Sequence, residues 1–204
     1  MAFERNVFVN CPFDQQYLPL LRPLLFTIIY LGFKPRIALE AMDAGQARLE
    51  KIIGLIADSK FGIHDLSRIE ATQVGELFRL NMPFELGIDF GCRLFGRSRY
   101  KEKRTLVLEA EPHRYKAALS DLSGSDIENH GNEPYRMIGV VRNWIKNVSP
   151  MRAPGPAKIE GAFSDFVKQN YEDLTAQGFS PEDIEALPVP ELIECMELWV
   201  GSDA

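Results

Sequence analysis

Four short apolar runs, each followed by a segment with apolar residues at helical spacing, predict an α/β fold built on a parallel sheet. Parallel strands need crossover connections, so this alternation places helices on both faces of the sheet. Right-handed crossovers then give a flavodoxin-like three-layer sandwich with a parallel central sheet. The first run, Val7-Phe8-Val9, is β-branched and aromatic and stops at the turn signal Asn10-Cys11-Pro12. Residues 15–31 follow with Leu18, Leu21, Leu25, Ile28 and Ile29 at helical spacing, and 33–39 form the second strand. Residues 45–59 carry Leu49, Ile52, Ile53 and Ile56 on a 3.6-residue period, a helix leading to a third strand at 60–66.

Residues 67–80 show no sustained period and read as a long loop or a broken helix. The next helix covers 83–95, with Asn81 as N-cap and Pro83 in the first turn. Thr-Leu-Val-Leu at 105–108 is the fourth strand, and 135–146 is amphipathic through Met137, Ile138, Val141, Trp144 and Ile145. No fifth strand is evident. Residues 149–156 are half Pro or Gly and form a linker between an α/β domain at 1–148 and a helical C-terminal appendage at 157–204. In the appendage, 157–176 is one helix, Ser180-Pro-Glu-Asp183 is a capping box opening another, and 190–200 is the last. Phe163, Phe166, Leu192 and Trp199 are expected to be buried against the α/β domain or a partner subunit.

Composition narrows the function classes. With 204 residues, 46% of them hydrophobic and 25% charged, the chain can build a core without metal or disulfide staples. A net charge of −6 argues against nucleic acid, which requires concentrated basic surface. The six Lys/Arg within residues 93–104 fall where a helix ends, and read as a solvated terminus. Three widely spaced cysteines (Cys11, Cys92, Cys195) fit reduced thiols and carry no metal-ligand spacing. The N-terminal residues do not form a signal peptide, and the longest apolar stretch, 18–31, is broken by Pro19, Arg22 and Pro23. A soluble, cytoplasmic protein with no membrane contact is expected. Neither a Walker loop nor GxGxxG is present, which argues against ATP hydrolysis and Rossmann-type redox chemistry.

In an open parallel sheet, ligands bind at the carboxyl ends of the strands where the strand order reverses. Asn10 to Asp14 leave strand one there, His64-Asp65-Leu66-Ser67 leave strand three, and the helix at 83–95 begins there with Glu85. On that helix Phe84, Ile88, Cys92 and Phe95 make an apolar stripe expected to face the sheet, with Glu85 and Asp89 on the adjoining stripe. Each candidate also has a structural reading. A first-turn glutamate complements the helix dipole for about 0.3–1 kcal/mol. Asp65 after a strand caps a turn, His64 is a satisfied core histidine, and Asn10 and Asp14 organise the turn around Pro12.

Three segments, VFVNCPFD (7–14), GIHDLS (62–67) and MPFELGIDFG (82–91), resemble the nucleoside 2-deoxyribosyltransferases and their TIR-like relatives over roughly residues 6–147. That resemblance implies N-glycosidic bond cleavage or transfer on a nucleoside, nucleotide or NAD. The Glu-Leu-Gly match puts the nucleophile or oxocarbenium-stabilising carboxylate on Glu85, and the strand-three acid that holds base or sugar on Asp65. The leading turn maps to Asn10, Pro12, Phe13 and Asp14 as substrate-binding residues, with His64 and Asp89 beside them. No cofactor or metal is required, and NAD or a nucleotide enters as substrate. Where the transferases have Gly-Pro in the leading turn and close rapidly before the helix, this chain has Cys-Pro-Phe-Asp and the longer charged stretch 68–79. Residues 121–130 also resemble TIR-like bacterial proteins associated with antiviral defence. A helical appendage implies a homo-oligomer. The alternative reading is a non-catalytic nucleotide-binding, signalling or scaffold module of the same fold.

Overall fold

The strands are β1 (Asn6–Asn10), β2 (Lys34–Ile37), β3 (Phe61–Asp65), β4 (Arg104–Glu109) and β5 (Ile127–Asn129). They form one all-parallel sheet in the order β2-β1-β3-β4-β5, the flavodoxin-like order. The computed structural model describes residues 2–40, 45, 47–69, 79–112, 114, 119–122 and 127–202. Much of the loop read at 67–80 lies outside the described residues. β1 and β3 are buried at every position, as strands covered on both faces must be. The fifth strand, which the sequence did not reveal, is a three-residue edge strand whose residues all stay partly or wholly exposed. An edge position asks for no apolar run.

α2 (Leu18–Tyr30) and α5 (Pro134–Val148) cover one face of the sheet, packing on Val7, Val9, Ile63, Leu106 and Leu108. α3 (Arg48–Ala57) and α4 (Asn81–Phe95) cover the other, over Phe8 and Val107. α1 (Ala2–Arg5) is a single turn before β1. α2 is apolar nearly all round, so its outer side needs a second cover. α6 (Pro156–Ala176) and α8 (Val189–Ser202) supply it, with α7 (Pro181–Glu185) between them opened by the Ser180/Asp183 capping box. Phe26 of α2 meets Phe163, Phe166 and Trp199 with ring centroids 5.3, 5.5 and 5.8 Å away. Phe166 and Leu192 are buried, while Phe163 and Trp199 are half-buried at the margin of the same apolar cluster. The 149–156 segment therefore leads into helices that share the core of the α/β domain.

Three expectations about individual elements need correction. α4 begins at Asn81 and its N-cap is Leu80, with no side-chain hydrogen bond, so Asn81 does not cap it. Its apolar stripe does not lie on the sheet: Phe84 is 57% and Phe95 87% exposed, and Ile88 and Cys92 pack only partly, against α3 and Phe8. The buried side carries Glu85, Leu86 and Asp89. On α3, Leu49 and Ile53 are exposed, and Ile52, Leu55 and Ile56 make the inner face.

Candidate functional site

Strand order reverses around β1 and β3, and at their carboxyl ends Asn10 and His64 stand in register. The Asn10 side-chain amide donates to the Met82 carbonyl in the first turn of α4 and to His64 Nδ1, each at 3.0 Å. Because the Met82 carbonyl can only accept, it fixes which end of the Asn10 amide is nitrogen. Nδ1 of His64 must then accept, leaving the proton on Nε2. That N–H donates to Asp89 Oδ2 at 3.0 Å. Thr105 Oγ1 donates to the same oxygen at 3.2 Å. Lys103 Nζ lies 3.0 Å from Asp89 Oδ1, and donates to the carbonyls of Ile56 (2.8 Å) and Ser59 (2.5 Å). His64, Asp89 and Lys103 are each fully buried. Burial pushes the Asp89 carboxyl up, but the His64 hydrogen bond and the Lys103 charge outweigh it and hold the group below the usual carboxylate range.

This chain of contacts pins the inner side of α4 to the sheet, and Gly62 makes room for it. A Cβ on Gly62 would stand 2.2 Å from Asp89 Oδ2. Of the basic run at 93–104, Lys103 is therefore no solvated terminus; it is the buried counter-ion of Asp89.

A second polar group forms on the opposite face, from the last residue of β3. Asp65 is fully buried and accepts from the Ser67 amide at 2.8 Å and from the Tyr17 hydroxyl. His130, just past β5, accepts the Asn132 amide on Nδ1 at 3.0 Å, so its proton sits on Nε2, 3.1 Å from Asp65 Oδ2 though not aligned for a hydrogen bond. Burial raises the Asp65 carboxyl, yet His130, Ser67 and Tyr17 together keep it low. Between the two groups runs the turn after β1. Asp14 caps the Tyr17 amide at 3.1 Å and pairs with Arg68 (2.9 Å) and Arg79 (2.8 Å), which outweigh its partial burial and lower its pKa. Pro12 is buried and Phe13 packs on the edge of the main core. Cys11 is buried among Asp65, Glu85 and Asp14, and burial and those charges push its thiol well up, so no thiolate nucleophile is available there.

Glu85 differs from all of these. It is 6% exposed, one turn beyond the Met82 that Asn10 holds, and among the described residues its carboxylate has no hydrogen-bond partner. Burial raises its pKa, with the Arg48 charge pulling the other way. Across the sheet edge, Glu109 ends β4 nearly fully buried, its Oε1 taken by the Ala110 amide at 2.8 Å and its Oε2 unpartnered. Burial raises Glu109 as well.

The structure thus brings Asn10, His64 and Asp89 together beneath α4 with Glu85 one turn above Asp89, and sets Asp65 with Tyr17 and His130 on the other face. Sequence reasoning missed Tyr17, Lys103, Thr105, Glu109 and His130. A signal existed for one of them, since Glu109 closes a buried apolar strand with a charge, and Gly62 in β3 marks the close approach of Asp89. No family model, curated protein or solved structure matches the chain.

Proposed function

We propose that the chain cleaves or transfers the N-glycosidic bond of a nucleoside, a nucleotide or NAD, with Glu85 as the carboxylate that opposes positive charge at the anomeric carbon. One observation carries this reading: a carboxylate on a largely buried residue, without a hydrogen-bond partner among the described residues, on the first turns of a helix that starts at the sheet's carboxyl edge. A carboxylate that burial shifts upward and no protein group engages is available to a ligand, and such groups concentrate at functional sites.

The chemistry follows from that placement. The carbon–nitrogen bond breaks with its electron pair leaving on the base, and positive charge spreads over C1 and the ring oxygen. A carboxylate beneath C1 stabilises that charge or bonds to it. Water or an acceptor nucleophile then attacks C1 and gives up its proton. Nicotinamide, cationic in NAD, leaves neutral without a proton; other bases require one. Asp65 and Asp89 act as positioning residues, because their oxygens already hold Tyr17, Ser67, His64 and Thr105.

Incubating the chain with NAD or deoxynucleosides and separating the products by chromatography tests the proposal through release of free base. Glu85→Gln keeps size and removes charge, and should slow base release by on the order of 10²-fold or more, about 2.7 kcal/mol of transition-state stabilisation. Since the carboxylate must be ionised and burial raises its pKa, the acid limb of the rate should lie above the ~4.3 of an exposed glutamate. Full activity in Glu85→Gln would refute the role.

The engagement of Asp65, His64 and Asp89 by protein groups favours a second reading, a nucleotide-binding, signalling or scaffold module without turnover. Binding of these compounds without base release selects it.

A further inference from the structure

Charge is unevenly divided along this chain. Residues 156–202 hold ten Asp/Glu against two Lys, while residues 93–104 hold six Lys/Arg against one Glu. The acidic part contains a groove between α6 and α8 of about 380 Å³. Its apolar side is made by Leu174, Leu198 and Trp199, and its acidic side by Asp173, Glu191 and Glu194. Leu198 is 75% exposed, an apolar surface that folding leaves uncovered. Among the described residues, those three carboxylates have no ion-pair partner.

The basic part ends α4 on the other side of the molecule's sheet. There Leu94 and Phe95 are 63% and 87% exposed, side by side at the helix terminus. Arg93 and Arg97 flank them and also lack an ion-pair partner among the described residues. Adjacent exposed Leu and Phe side chains at a helix end offer an apolar surface to a partner. One region is an apolar groove edged with unpaired acids; the other is an apolar knob edged with unpaired arginines.

We infer that the α6/α8 groove receives the Leu94–Phe95 knob of a second copy of this chain, with Arg93 and Arg97 meeting Asp173, Glu191 and Glu194. The occupant is argued from charge complementarity: the chain itself carries the matching surface, and opposite potentials steer and orient association. Knob and groove lie on different elements, so the contact is heterologous. Each copy then offers a free knob and a free groove, and assembly proceeds head to tail into a ring or an open chain. The interface is independent of the reaction proposed for Glu85.

Sedimentation of the full chain tests this. At about 100 µM and low salt the parent should show species beyond the monomer, and raising salt to about 0.5 M should weaken the association by on the order of tenfold, since exposed charges are screened. Arg93→Glu/Arg97→Glu, and separately Glu191→Arg/Glu194→Arg, should each sediment as monomers with unchanged circular dichroism. In a mixture, the parental knob of the groove variant meets the parental groove of the knob variant, the reverse contact is opposed only by Asp173, and association should be restored. Phe95→Ser, which leaves charge alone, should weaken it too. A parent that stays monomeric at low salt, reversal variants that assemble as the parent does, or a mixture that remains monomeric would each overturn the inference.

Discussion

Replacing Lys103 with methionine tests the buried polar chain beneath α4. The side chains are close in length and the site is fully buried, so methionine fits with little repacking, and the change is mainly electrical. Three things are lost: the 3.0 Å ion pair to Asp89 and the two hydrogen bonds to the carbonyls of Ile56 and Ser59. Removing one partner of a buried pair costs about 3–5 kcal/mol, because the other charge stays behind without compensation. His64 and Thr105 still hold Asp89 in the variant, which keeps the expected loss within that range. Against a typical domain stability of about 5–15 kcal/mol, this is a large fraction.

Urea unfolding across pH reads both the size and the sign. In the parent, Asp89 has a lowered folded pKa, so its contribution is present above the unfolded carboxylate value and is lost as pH falls through the folded one. Without the ammonium, the His64 hydrogen bond still favours the carboxylate, but the folded pKa moves up from its parental value. The variant should then lose less stability than the parent as pH falls through the carboxylate range, a shallower slope. Asp89→Asn removes the stranded charge while keeping an acceptor for His64, so the double variant should recover about 2 kcal/mol relative to the sum of the single losses. A Lys103→Met loss under about 1 kcal/mol, or parallel pH slopes in parent and variant, would refute the assignment of Lys103 as the counter-ion of Asp89.

Gly62→Ala drives a Cβ into Asp89 Oδ2 at 2.2 Å, and should lower the urea midpoint by an amount corresponding to about 1–3 kcal/mol. Tyr17→Phe removes the hydroxyl that donates to buried Asp65, a charge-assisted bond worth about 1.5–3 kcal/mol, measurable as a lowered thermal midpoint. Ending the chain at Pro154 uncovers Phe26 and the outer side of α2, and should give a protein that aggregates or melts well below the parent in light-scattering and calorimetric scans.

Periodicity and turn residues were enough to read the sheet's centre and its helices. Val7 to Val9 sit on a central strand, where burial on both faces demands an apolar run that shows in the sequence, and Phe61 to Ile63 open another. β5 did not show, because an edge strand of three partly or wholly exposed residues needs no such run. α4 was read with its apolar stripe inward, and that failed for a physical reason. Helical periodicity assigns every charge to solvent, whereas here Lys103, His64 and Gly62, all distant in sequence, create a polar space that accepts Asp89. Lys103 looks like its neighbours in a basic run until the fold brings Asp89 to it. The placement of Phe163, Phe166 and Trp199 against Phe26 was legible in outline, since a helix as apolar as α2 cannot face water.

The departures from simple patterning are concentrated in one place. A helix that turns Glu85 and Asp89 toward its sheet gives up apolar burial that Phe84 and Phe95 could have provided. Local rules are broken in this way mainly at sites where a side chain has another task. Asp89 has that task within the protein: with His64, Asn10 and Lys103 it ties α4 to β1, β3 and the start of β4, so the helix cannot rotate to bury its apolar stripe. On the far face, Asp65 ties β3 to Tyr17 at the entry to α2, with His130 after β5 lying 3.1 Å away. Both ties end beside the same strand terminus, and Glu85, one helical turn from Asp89, is the carboxylate they leave unpaired. A charge held by a rigid frame but, among the described residues, bonded to none of it costs little reorganisation when a cation forms beside it, which is what the role proposed for Glu85 would require.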